Sequence, residues 1–176
     1  DIGYPKLVDF GTSKSFSGKL KRTFTVVGTP HYMAPEVFAG KGYGFGADLW
    51  SIGVCLYEFF CMELPFGGKA TDPYKIYEEI LKKKLNFPFF ARDKDCKNLI
   101  NQLLNKESPE LRLGRSFAAL KSHPFYDEFN WDAVVEKILE PPKFLPDEKL
   151  LTPEKVKEME ENSTDVNTVQ SQSTHQ

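Results

Sequence analysis

The chain has 176 residues, 40% of them hydrophobic and 14% aromatic, with 23 Lys and Arg against 25 Asp and Glu for a net charge of −2. That is enough apolar material for one domain with a core, and the mixed, nearly balanced charge excludes the basic field that recruits nucleic acid or an anionic membrane. Cys55, Cys61 and Cys96 lie in apolar stretches without paired spacing, which argues against a disulfide framework and a zinc site and for reduced thiols packed as small hydrophobes.

The chain opens at Asp1-Ile2-Gly3-Tyr4 without an initiator methionine. That start reads as the middle of a gene product and leaves an N-terminal targeting signal open. Tyr4 to Val8 is a short apolar run behind a turn and predicts a small strand. Asp9 to Val27, rich in Gly, Ser, Thr and Lys, predicts a long loop, and loops of that length in compact domains are usually functional. Helical periodicity starts near Pro35 and is strongest from Asp48 to Met62. This stretch is apolar all round, so it should be the central core helix. The run Leu49 to Met62 carries Glu58 and is shorter than the roughly 20 residues a membrane span needs. Gly67 and Gly68 break the chain. Asp72 caps a helix with Pro73 at its first position and Ile76, Ile80 and Leu81 as its apolar stripe. Cys96, Leu99, Ile100, Leu103 and Leu104 recur at helical spacing in another amphipathic helix. His123-Pro124-Phe125 closes the compact region, and Pro141-Pro142, Pro146 and Pro153 punctuate an extended segment. Asn162 to Gln176 is almost wholly polar and is expected to be disordered.

Asp9-Phe10-Gly11 places a carboxylate at a strand end before a glycine, which suits magnesium ligation at a nucleotide phosphate. Alone the tripeptide is a common turn. It is followed by Gly28-Thr29-Pro30-His31-Tyr32-Met33-Ala34-Pro35-Glu36, and the two together resemble the activation segment of a eukaryotic protein kinase, which runs from Asp-Phe-Gly to Ala-Pro-Glu. Asp48-Leu49-Trp50-Ser51-Ile52-Gly53-Val54, Leu64-Pro65-Phe66 and Leu111-Arg112-Leu113-Gly114 then match three later kinase motifs in order. Phe129-Asn130-Trp131-Asp132 and Glu140-Pro141-Pro142-Lys143-Phe144-Leu145-Pro146 resemble the C-terminal tail of the AGC group, which contains the cyclic-nucleotide-dependent kinases, protein kinase C and their relatives. Within that group, Gly28 to Gly44 is similar to cyclic-GMP-dependent kinases of protist type.

The resemblance implies a mainly α fold: the C-terminal lobe of the protein kinase-like fold with an AGC-type C-terminal tail and the N-terminal β-lobe absent. Residues 1–126 would belong to the kinase domain, 127–161 to the tail and 162–176 to a disordered end. The implied activity is transfer of the ATP γ-phosphate to serine and threonine hydroxyls, with ATP and Mg2+ as cofactors and cyclic-GMP control. The alternatives are another AGC kinase, of cyclic-AMP-dependent or lipid-controlled type, and a truncated or pseudokinase interaction module. The Gly-rich loop, the Val-Ala-Ile-Lys lysine, the helix glutamate and the His-Arg-Asp loop do not occur in these residues, so this stretch alone is expected to be inactive. Its partners would be protein substrates with basic residues before the phosphoacceptor, the missing N-lobe and cyclic-nucleotide-binding domains of the same protein. No nucleic acid and no transmembrane segment is expected, and the location would be cytoplasmic.

By the same resemblance, Asp9 would chelate the magnesium that bridges the ATP phosphates. Thr29 would bond the catalytic aspartate of the missing loop. Thr25 occupies the regulatory phosphorylation position, with Lys14 as a basic contact for that phosphate. Val26, Pro30 and Met33 would line the pocket for the residue after the phosphoacceptor, and Glu58 would meet a substrate arginine. A carboxylate on so apolar a helix needs a partner or an edge position in any case. Glu36 and Arg112 would form a buried structural pair, and Asp48 would bond the catalytic loop's backbone. His31 departs from the glutamate common in the group, which weakens the case for a second acidic contact; by itself it reads as a hydrogen-bonding surface histidine.

Overall fold

The computed structural model describes residues 4–15, 22–114 and 116–140. They divide into two units: a large one, Asp9–Phe129, and a small one that comprises residues 4–8 and 130–140 of those described. The expected proline-punctuated segment from Pro141, the disordered end Asn162 to Gln176 and part of the expected loop, residues 16–21, lie outside the described residues.

The large unit is helical. Its elements are α1 (Pro35–Phe38), α2 (Gly46–Cys61), α3 (Pro73–Lys82), α4 (Lys94–Leu103) and α5 (Phe117–Lys121), with 3-10 turns at Pro30–Tyr32, Pro109–Leu113 and Pro124–Tyr126. Five of these eight elements open on a proline. The fixed φ of proline suits a first helical position, and its missing N–H is one that the first turn could not have paired. Side chains also cap N-termini: Asp72 accepts from Tyr74 N ahead of Pro73, and Asp93 accepts from Asp95 N and Cys96 N.

The core forms where α2 crosses α4. Trp50, Val54, Tyr57 and Cys61 of α2 are buried together with Cys96, Leu99, Ile100 and Leu103 of α4. Gly53 permits the contact: a Cβ on it would stand 2.8 Å from Leu103 Cβ and 3.0 Å from Leu104 Cδ2. Phe66 stacks on Trp50 with ring centroids 6.0 Å apart, and Phe38 of α1 stacks on Tyr77 of α3 at 5.0 Å.

Three expectations are corrected. The stretch Tyr4 to Val8 forms no strand, because a strand needs a neighbour and none among the described residues pairs with it; the one β-bridge joins Thr23 to Tyr43. The central helix is not buried all round, for Ile52 and Phe59 are 54% and 78% exposed. The described elements that pack on α2 cover one face of it, and apolar composition alone could not say how many faces would be covered. Leu81 is also exposed rather than part of the α3 stripe. Ile76 and Ile80 are four apart and share a face, whereas Leu81 is turned about 100° from Ile80.

In the small unit, Asn130 caps α6 (Trp131–Val135) by accepting from Ala133 N at 3.0 Å. The Tyr4 hydroxyl donates to the Leu139 carbonyl, which ties the two stretches of this unit together.

Candidate functional site

Asp9 opens the site in a left-handed conformation, φ 62°. A non-glycine residue there is uncommon, and Asp and Asn are among those that tolerate it. Its exposed carboxylate stands 3.4 Å from Gly11 N, and a turn follows in which Ser13 N and Ser13 Oγ both donate to the Phe10 carbonyl. A single exposed carboxylate fits magnesium, which keeps several waters and takes one or two carboxylates plus substrate phosphates rather than an all-protein cage. No cluster of three or more His, Cys, Asp or Glu with metal-binding geometry occurs among the described residues.

Lys14 lies five residues on. Its Nζ donates to Thr23 Oγ1 at 3.1 Å and also to Thr25 Oγ1. Thr23 and Thr25 are two apart on an extended stretch, so both hydroxyls fall on the side where the ammonium sits. Thr23 N and Tyr43 N each donate to the other's carbonyl at 2.9 Å, and the Tyr43 hydroxyl donates to the Thr25 carbonyl.

Thr29 precedes the turn Pro30–Tyr32. Its hydroxyl makes no cap bond and is exposed, so it can serve a group outside the described residues. Val26 is exposed, while Pro30 and Met33 are half-buried. Met33 packs on the core, with its Cε 3.7 Å from where a Cβ on Gly28 would stand. Tyr32 turns inward, and its hydroxyl donates to Glu58 Oε2 at 2.8 Å. This is the partner that Glu58 needs on an apolar helix. The hydrogen bond to Glu58, with burial second, raises the Tyr32 pKa above its ordinary value. Ser51 Oγ donates to the Tyr32 carbonyl at 2.8 Å. His31 Nε2 lies 3.0 Å from the Gly67 carbonyl and 3.1 Å from the Ala70 carbonyl. Two acceptors around one nitrogen require that nitrogen to carry the proton.

The segment ends at a second anchor. Arg112 is fully buried, and its guanidinium grips Glu36 through Nη1–Oε1 at 2.6 Å and Nη2–Oε2 at 2.9 Å. Nη1 also donates to the Gly46 carbonyl at 2.8 Å and Nε to the Asn105 carbonyl at 2.9 Å, while the Trp50 ring lies 5.0 Å from the guanidinium carbon. Burial of that charge is tolerable because nearly every N–H it carries has an acceptor. Asp48 is exposed in the first turn of α2, with no partner among the described residues.

Sequence reasoning missed Tyr32, Thr23, Tyr43 and Ser51. A signal existed for the first alone, since Glu58 on an apolar helix demands a donor, though not which one. The other contacts join residues that only the fold brings near each other.

An anchored segment runs from an exposed aspartate to a buried Glu–Arg pair and is set against a helical lobe. The protein kinase domain model matches residues 1–126, and the chain belongs to the protein kinase family. It is 49% identical over 143 residues to a cGMP-dependent protein kinase of Eimeria tenella, covering 80% of this chain and 14% of that protein. It is 45% identical over 166 residues to a cGMP-dependent protein kinase of Plasmodium berghei, covering 93% and 19%. A cAMP-dependent protein kinase catalytic subunit of Arthrobotrys oligospora is 38% identical over 143 residues, covering 80% and 26%. The chain therefore spans between about a seventh and a quarter of the length of these relatives. No helix among the described residues is long and apolar enough to cross a membrane.

Proposed function

We propose that this chain is the C-terminal part of the catalytic domain of a cyclic-GMP-dependent serine/threonine kinase, and that the parent protein transfers the γ-phosphate of ATP to protein hydroxyls. The observation that carries this reading is one segment with an exposed Asp9 carboxylate at its start and the Glu36–Arg112 fork at its end. Protein kinases use ATP with magnesium, which neutralises charge on the phosphates as the phosphoryl group moves. Asp9 holds that ion. Thr29 holds the catalytic aspartate of the upstream loop through its free hydroxyl. Lys14 receives the phosphate placed on Thr25. Glu58, already oriented by Tyr32, meets an arginine before the phosphoacceptor, and Val26, Pro30 and Met33 favour an apolar residue after it. Asp48 braces the catalytic loop's backbone.

The kinase domain occupies 1–126, the tail 127–161 and the polar end 162–176. The residues that grip ATP and supply the catalytic aspartate are not in these 176 residues, so this stretch alone transfers no phosphate. Upstream segments of the parent complete the site, cyclic-nucleotide-binding domains control it, and it works in the cytoplasm on protein substrates.

The test is Asp9→Ala in the full-length parent. Turnover should fall on the order of a hundredfold or more, since the metal contributes several kcal/mol to transition-state stabilisation. The melting temperature should fall by no more than a few degrees, because Asp9 is exposed and alanine at its φ of 62° adds only roughly 1 kcal/mol of strain. Normal turnover would sink the assignment.

A further inference from the structure

We propose that Gly42 and Tyr43 form a clip that holds residues 22–25 in place before Thr25 carries any phosphate, which makes both of them positioning residues for that threonine. The proposal rests on the reading of Thr25 as the regulatory position and adds to it an element for which that reading has no role.

Three independent contacts build the clip. First, Thr23 and Tyr43 exchange both backbone hydrogen bonds at 2.9 Å, the narrow pair of an antiparallel ladder. Thr23 is buried, 8% exposed, although its flanking residues Arg22 and Phe24 are exposed. Second, the Tyr43 hydroxyl reaches two residues further and donates to the Thr25 carbonyl. One side chain thus fixes the backbone at the threonine itself. Third, Phe24, between the two threonines, points the opposite way and lies over Gly42. A Cβ on Gly42 would stand 2.9 Å from Phe24 Cε1 and 3.0 Å from Cζ, and Gly42 has φ +79°. The positive φ is what requires glycine there, and a Cβ would also push the exposed Phe24 ring off its place.

A lone bridge of two hydrogen bonds is marginal in water. Here the Phe24 cover, the Tyr43 hydroxyl and the Lys14 ammonium that binds both Thr23 and Thr25 act on the same four residues. None of the clip's contacts uses the Thr25 hydroxyl, and Lys14 sits at the oxygen that would bear a phosphate. Modification of Thr25 therefore strengthens an existing Lys14 contact with charge and does not have to order residues 22–25 at the entropic cost of fixing them. In this kinase the order of these residues and the charge of the phosphate are separate contributions.

Hydrogen exchange on the full-length parent, treated with phosphatase, tests this without reference to activity. The Thr23 and Tyr43 amides should be protected in the unmodified wild type. Tyr43→Phe should speed exchange at residues 23–26 about three- to tenfold, the effect of one hydrogen bond. Gly42→Ala should speed it by about tenfold or more, through the added strain at a positive φ and the displaced Phe24. Phosphorylation of Thr25 should change wild-type exchange there by less than about twofold and should restore most of the protection lost in Tyr43→Phe. The Trp50 and Val54 amides in α2 report global opening; if Gly42→Ala loosens them too, Tyr43→Phe decides. Free exchange at Thr23 and Tyr43 in the unmodified wild type, or no change at 23–26 in Tyr43→Phe, overturns the clip. Absence of phosphate on Thr25 in the active enzyme would instead overturn the reading of that site, and the exchange result on the unmodified protein would still judge the clip.

Discussion

Arg112 and Glu36 meet edge to edge across 76 residues of sequence, with two parallel bonds of 2.6 and 2.9 Å. They are unequal partners. Glu36 keeps 16% of its side-chain surface exposed and receives this one grip, whereas Arg112 keeps none and also serves the Gly46 and Asn105 carbonyls.

Loss of Arg112 therefore strips the donor from three acceptors, and loss of Glu36 strips the arginine of only one partner. Breaking a buried pair costs about 3–5 kcal/mol, so Arg112→Ala should fall near the upper figure and Glu36→Ala near the lower. Arg112→Lys should recover little, because a point charge cannot reproduce the planar fork. Urea denaturation of the four proteins in a double-mutant cycle measures this, and the double mutant should lose less than the sum of the singles. Additive losses would show that the two residues are not coupled.

Gly53→Ala tests the contact of α2 with α4. Helix propensity favours alanine by about 1 kcal/mol. Against it, the new methyl would lie 2.8 Å from Leu103 Cβ, and overpacking a core costs about 1–3 kcal/mol. Since Leu103 Cβ adjoins backbone and cannot swing away, overpacking should win, and the variant should unfold at lower denaturant. A stabilised variant would mean that the two helices can separate at little cost.

Glu58→Gln keeps an acceptor for the Tyr32 hydroxyl and removes the charge. In the full-length kinase it should lower kcat/KM for peptides with arginine before the phosphoacceptor by about 10- to 100-fold, the worth of a hydrogen bond to a charged group. The preference for an apolar residue after the acceptor should persist. Tyr32→Phe should retain the basic preference with a weaker slope, because the carboxylate stays charged but loses its orienting donor. A peptide array reads both, and equal use of arginine-rich and arginine-free peptides by the wild type would discard the role of Glu58.

Burial, with Asp93 and Cys61 nearby, pushes the Cys96 thiol from its ordinary value near 9 to about 11. The folded state then holds a proton that the unfolded chain releases earlier. This stabilisation is complete below about pH 9 and is lost as pH rises towards about 11, a change of about 2–3 kcal/mol. Cys61, raised chiefly by burial, acts in the same direction. Urea midpoints between pH 8 and pH 11 should fall, and Cys96→Ala should flatten the fall. An equally steep curve in that variant would exclude Cys96 as its origin.

Legibility in the sequence followed the range of the interactions. The capped helix behind Asp72 and the buried stripe of α4 arise from neighbours three and four residues apart, so composition and spacing determined them by themselves. The short motifs from Asp9 to Arg112 are likewise local in the sequence, and by themselves they carry the resemblance to the kinase family. Which faces would be covered was decided by tertiary structure. Ile52 and Phe59 on α2 and Leu81 on α3 are as apolar as their buried neighbours, and only the placement of other elements leaves them exposed. The partners of the site residues were decided in the same way. Glu58 required a donor and the fold supplied Tyr32, 26 residues away; Thr25 lay in a loop and the fold brought Tyr43 to it from 18 residues away. A side chain's need for a partner is a property of its own chemistry, whereas the identity of that partner depends on how the whole chain packs.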